Sequence, residues 1–220
     1  MEPMMLEDYK EDNIPRSLQN LFNYFKQEDV TLDKNDLAVI FIYILMLESG
    51  FVTPDFLPLH EESAQTCDFH YKRLLLLTER MPKDWKRSKT SYRLSFVLIP
   101  CPINICSVTC ILVSDELVVN CCVNNVNSSE NHFSILLDPS LYIVNYGNYG
   151  IKRIFQNLKD LSLKFKNLIS HPCKMLILQT GSLRAATLMS LPPELLNYIL
   201  KYCDRQTRNR FQKMLKQPNK

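Results

Sequence analysis

The sequence predicts an α+β fold, an antiparallel meander sheet packed on helices, and three features predict it. From Tyr92 onward the hydrophobic period is two. Tyr92, Leu94, Phe96 and Leu98 alternate with Arg93, Ser95, Val97 and Ile99, and similar patterns recur over 106–113, 117–124 and 132–137. Alternation of this kind suits strands buried on one face. The connections between them (PCPIN, SDE, NNVNSSEN) are too short for crossover helices, so successive strands run antiparallel. The second feature lies upstream, where Leu37 to Leu47 is eleven apolar residues without a break. Such a run is hydrophobic on every face and must be enclosed by its own domain. The third lies downstream, where Ile151, Ile154, Phe155, Leu158, Leu161, Phe165 and Leu168 make one stripe at helical spacing.

Residues 1–13 read as a flexible acidic leader. Ile14 to Lys26 reads as a first helix, with Pro15 at its start and Leu18, Leu21, Phe22 and Phe25 on one face. The apolar run then has legible ends. Asp33 stands as N-cap with Asp36 three residues on, a carboxylate form of the capping box, and Leu32 and Leu37 occupy the staple positions. Gly50 sits where a left-handed C-terminal cap is wanted. At eleven residues the run is well short of the ~20 that a bilayer span needs. It is a buried helix, and no membrane partner is expected. Residues 51–82 are irregular, and YKRLLLLTER suits a short helix or a strand. The four strands follow. A second amphipathic helix is expected over about Ile151 to Ile169, and HPCKMLILQTG as a short separate element opened by Pro172 and ended at Gly181. SLPPELLNYILKYCDRQ is a proline-initiated helix.

The formal charge of +3 is unevenly placed. From Lys201 to Lys220 seven basic residues stand against one acid, Asp204. The rest of the chain is therefore slightly acidic and has no general attraction for nucleic acid. No secretory signal opens the sequence, and five of the eight cysteines (Cys101, Cys106, Cys110, Cys121, Cys122) fall in strand-like apolar stretches. Free thiols pack there as small hydrophobes, which fits a reducing cytoplasmic or nuclear location.

Signatures of small-molecule chemistry are sparse. GNYG at Gly147 to Gly150 lacks the third glycine of a dinucleotide fingerprint and reads as a turn. Cys106 and Cys110 point to one side of a strand without the CxxC spacing of a metal ribbon, and read as packing. Cys121 and Cys122 face opposite sides of theirs. The four histidines are scattered, so a thiol-dependent enzyme is a lesser alternative, and no cofactor is expected. One face of the sheet is wholly apolar, whereas the other mixes Val97, Ile99, Thr109, Ile111, Val118 and Asn120. A solvated face would be more polar than that. Either a further helix covers it or a partner protein does.

DLAVIFIYILMLESGFV, followed by MPKDWK, the LIP strand end and ELVVN, resembles the FP domain. LMSLPPELLNYILKYCD resembles the opening of an F-box. The two together, in this order, are similar to the FP-domain F-box family (the F-box only protein seven or Nutcracker family). Through the FP domain that family is related to the proteasome inhibitor/regulator family. The resemblance implies an FP-domain sandwich over 14–181 and a truncated all-α F-box segment over 188–220. It implies a non-enzymatic adaptor of a Skp–cullin–F-box ubiquitin ligase that influences proteasome activity. The Skp-family adaptor, and through it the cullin, would be held by Leu191, Pro192, Glu194, Leu195, Leu196, Ile199 and Leu200. The FP domain would pair with a proteasome inhibitor/regulator bearing an FP domain, or with its own copy as a homodimer. The mixed sheet face, centred on Ile111, Val118 and Val119, is the candidate surface, with helix faces as the competing choice. A terminal helix folded onto the main domain is the alternative for 191–200. The stretch RQTRNRFQKMLKQPNK departs from the family, since an F-box normally continues with two more apolar helices. An incomplete adaptor contact is therefore expected, and a shortened form or a fragment both fit the departure.

Overall fold

The longest apolar run becomes the central helix because its termini are specified as sharply as its middle. A computed structural model describes residues 5–10, 13–59, 67–124, 132–144, 155–180 and 202. In it α1 is Arg16–Gln27, α2 Lys34–Glu48 and α3 Cys67–Leu77. Pro15 precedes α1 as its N-cap residue. The segment left open between helix and strand is thus helical. At the start of α2 the Asp33 carboxylate accepts the Asp36 N–H at 2.8 Å, and the Asp36 carboxylate accepts the Asp33 N–H at 3.0 Å. Both orphan donors are satisfied, as a capping box requires. At the other end Gly50 adopts φ +96°, a conformation that costs a residue with a Cβ about 1–2 kcal/mol. Everything from Leu37 to Leu47 is buried. Each such side chain contributes about 1.5–3 kcal/mol relative to exposure.

The strands are β1 Ser91–Leu98, β2 Cys101–Val113, β3 Glu116–Val123 and β4 His132–Leu137, antiparallel in the order β1-β2-β3-β4. The meander is thus as expected, with one difference: β2 starts at Cys101, inside the stretch expected as a turn, and the β1–β2 register slips between Phe96 and Leu98. An irregularity of this kind bends the ribbon and lets pairing resume beyond it. The inner face is continuous apolar surface, with Tyr92, Leu94, Phe96, Val108, Leu117, Val119, Ile135 and Leu137 all buried beneath the helices. Central α2 lies against β1 and is flanked by α1 and α3. Phe96 meets both Tyr43 and Phe51, while Trp85 of MPKDWK stacks on Tyr92 and touches Phe25.

The last helical region differs from expectation in both its beginning and its continuity. Ile151 and Ile154 lie outside the described residues, and Phe155 forms a bridge to Ile143. Helix α4 (Leu158–Phe165) begins only after Asn157, which is left-handed at φ 54°. It passes without interruption through a π-helical turn, Lys166–Ser170, into α5, His171–Thr180. Pro172 therefore does not open a new element. A proline cannot donate to the carbonyl four residues back and its ring clashes with it. The preceding turn widens instead, and the His171 N–H reaches Lys166 O, five residues away. The rod continues because the bulge accommodates the proline.

The acidic leader also differs from expectation. Leu6–Asp8 forms a 3₁₀ turn with Leu6 fully buried. Its N–H donates to Glu48 Oε1 at 2.6 Å, and Lys166 bridges Glu48 at 2.9 Å and Glu7 at 3.3 Å. Burial pushes the Glu48 carboxyl up, against the pull of Lys166 and of the Leu6 N–H. A second buried carboxylate, Asp36, is matched by Lys86 at 2.6 Å and by the Tyr92 hydroxyl at 2.9 Å. Chain contacts divide the molecule into two units, Met1–Gly181 and Ser182–Lys220, and of the second only Tyr202, helical and exposed, is described. No helix among the described residues is long and apolar enough to cross a membrane.

Candidate protein-docking face

Strand register decides which residues share the outer face of the sheet. Ser91 pairs with Ile111, Ile111 with Val118, and Val118 with Leu136, so these four form one row across all four strands. The next row is Arg93, Thr109, Asn120 and Ser134, and the third is Ser95, Ser107, Cys122 and His132. One apolar row is thus followed by two polar ones, and Ser134 Oγ donates to Asn120 Oδ1 at 2.9 Å within the first polar row. At the same parity along β2 lie Ile103, Ile105 and Val113, all exposed; Ile103 keeps 78% of its surface.

Of the residues the sequence reading placed on this face, Ile111 is 45% exposed and Val118 is half-buried beside it. Val119 is a correction. It is fully buried on the opposite, helix-facing side, because consecutive strand residues point to opposite faces. Leu136, 47% exposed, takes its place in the row. Ile103, Ile105, Val113 and Leu136 were the residues missed. Period-two parity from Ile111 reaches the first three, but Ile103 lies inside the expected PCPIN turn and Ile105 directly after it, before the expected strand start at Cys106. Leu191, Pro192, Glu194, Leu195, Leu196, Ile199 and Leu200 all lie outside the described residues.

The sheet face by itself is somewhat smaller than a standard docking patch. Four strands ~4.8 Å apart, of 8, 13, 8 and 6 residues at ~3.4 Å each, give a plan of roughly 570 Å² before side-chain relief. A standard interface uses about 800 Å² per partner. A large apolar row bordered by polar residues is the arrangement expected of a surface that binds protein.

The chain is similar to F-box only protein 7. It is 27% identical to the human protein and 25% identical to the bovine one, over 173 residues in each case. That is 78% of this chain, and the chain spans 28% of the length of each of those relatives. No family model matches the chain. At this level the similarity points to a relationship with F-box only protein 7.

Thiols, by contrast, lie mostly beneath the sheet. Cys101, Cys106, Cys110, Cys121 and Cys173 are buried, and only Cys122 of those described is half-exposed on the outer face. Burial pushes the Cys110 thiol well up, so it stays protonated. Hydrogen bonds from Cys106 and Cys121 make Cys173 the most acidic of the three clustered thiols. His132 and His171 are exposed.

Proposed function

We infer that the chain is a non-enzymatic adaptor that docks one protein on the open sheet face and engages a ubiquitin ligase through its F-box-like segment. The observation that carries this reading is the row Ile111–Val118–Leu136, exposed at Ile111 and Leu136 and half-buried at Val118, on a sheet whose other face is sealed by helices. Similarity to F-box only protein 7 supports the ligase half. The docked partner is the FP domain of a proteasome inhibitor/regulator, and the adaptor influences proteasome activity by holding it. A second copy of the chain is the competing occupant. Residues Leu191, Pro192, Glu194, Leu195, Leu196, Ile199 and Leu200 contact a Skp-family protein, which links to a cullin. Ubiquitin transfer belongs to other subunits of that assembly, in the cytoplasm and nucleus.

The two halves separate experimentally. Ile111→Asp with Val118→Asp abolishes co-purification of the FP-domain partner and spares the Skp-family protein; Leu195→Asp with Ile199→Asp does the reverse. Loss of both partners in either double variant, with folding intact, contradicts two independent surfaces. A second reading keeps the FP pairing without the ligase, and the polar stretch RQTRNRFQKMLKQPNK favours it. Wild-type protein that binds the proteasome regulator and never retains a Skp-family protein establishes that version.

A further inference from the structure

Three thiols converge between the sheet and its covering helix. Cys106 of β2, Cys121 of β3 and Cys173 of α5 are each fully buried. Their sulfurs stand 3.2 Å (Cys106 to Cys121), 3.3 Å (Cys106 to Cys173) and 3.6 Å (Cys121 to Cys173) apart. The register places the first two diagonally on the inner face, since Cys106 pairs with Val123 and Cys121 with Val108. The third is aimed by the π-turn. One extra residue in a turn rotates everything beyond it by about 100°. The bulge at Lys166–Ser170 thus sets the direction in which Cys173, three residues later, meets the sheet. Such bulges recur at functional sites.

The surroundings restrict what fits. Val108 and Val123 flank the pair on the strands, and Ile169 and Ile177 lie one turn either side of Cys173; all four are fully buried. No histidine or carboxylate joins the cluster among the described residues. Hard cations demand oxygen ligands, which are missing from this set. Zinc in structural sites takes four ligands almost without exception, and a water fourth ligand is disfavoured by the dry walls. Three thiolates in an apolar enclosure suit a softer ion.

We propose that Cys106, Cys121 and Cys173 form a three-coordinate thiolate site for a soft d¹⁰ cation, the cuprous ion, which ties α5 to β2 and β3. The sulfur triangle leaves its centre about 1.9 Å from each sulfur, so a metal–sulfur bond of ~2.3 Å requires each to retreat by roughly 0.4 Å. Rotation about the cysteine side chains supplies that movement. Each thiol that ligates as thiolate releases its proton to solvent as the ion enters, and no electron is transferred.

The test is an anaerobic titration of the reduced full chain with cuprous ion held by a bicinchoninate competitor. The folded wild type is expected to withdraw one equivalent, develop near-ultraviolet sulfur-to-copper absorption, and melt at least about 5 °C higher. Cys173→Ser is expected to lose all three responses, and Cys101→Ser with Cys122→Ser to keep them. Should Cys173→Ser not fold, copper-edge X-ray absorption of the loaded wild type still decides: three sulfurs at one short distance support the site, and any other shell overturns it. No uptake from the competitor overturns the proposal. So does uptake indifferent to Cys173→Ser, one tightly held zinc that cuprous ion does not displace, or a disulfide among these cysteines in protein kept strictly reduced.

Discussion

The two faces of the sheet are built from the same strands and interleaved residues, yet they differ sharply in what covers them. Inside, Val119 joins a continuous apolar layer closed by α2 and α5. Outside, its neighbour Val118 sits in a row of exposed aliphatic side chains. The inner face already has its partner within the chain, so its residues stabilise the fold. The outer aliphatic side chains remain in water, so their burial is free energy still to be gained from another molecule. If the outer face docks a partner as proposed, adjacent residues of one strand separate stability from binding.

The sharpest way to break this comparison is Val119→Asp, which puts an unpaired carboxylate into the sealed layer. It is expected to cost more than about 4 kcal/mol and to leave little folded protein, as measured by urea unfolding. A folded, stable variant would mean that the inner face is not closed.

Lys166→Met probes the helix that closes it. Removing the lysine leaves Glu48 buried without its cation, at a cost of about 3–5 kcal/mol near neutral pH. The sign with pH follows from burial, which raises the folded-state pKa of Glu48. Between the ordinary carboxylate pKa and that raised value the folded state holds the proton more tightly, so stability falls as pH rises through this window. Losing Lys166 raises the pKa further and widens the window. The deficit is therefore expected to grow as pH rises from the acid range towards neutrality, measured by denaturant midpoints across pH. A deficit independent of pH would show that the lysine acts through packing of its methylene stem alone.

Val118→Asp has the smallest expected effect on folding, about 1–2 kcal/mol, because Val118 is half-buried on an interior strand. Its consequence appears in binding, where a charge in the centre of the aliphatic row is expected to abolish partner capture. Stability loss comparable to that of Val119→Asp would erase the distinction between the faces.

Much of this was legible before any coordinates. The capping box at Asp33, the buried run that follows it and the strand parity from Tyr92 all depend on neighbours within a few residues. Assigning Val119 to the outer face was an error that parity alone corrects, since Val118 and Val119 cannot share a side. The uninterrupted rod from α4 to α5 was not legible. A proline after a polar residue reads locally as a helix start, and only the widened turn at Lys166 shows how the chain passes it.

By itself the sequence determined the first helix, the capped central helix, the four strands in antiparallel order and the existence of a mixed sheet face, because hydrophobic period, caps and turn length are local quantities. Tertiary structure alone decided that Leu136 completes the aliphatic row, that Leu6 is anchored by Glu48, and that Cys173 joins Cys106 and Cys121. Each of these brings together residues far apart in the chain. Such meetings are set by strand register and by rotation along a helix, and one slipped residue or one added residue in a turn redirects them.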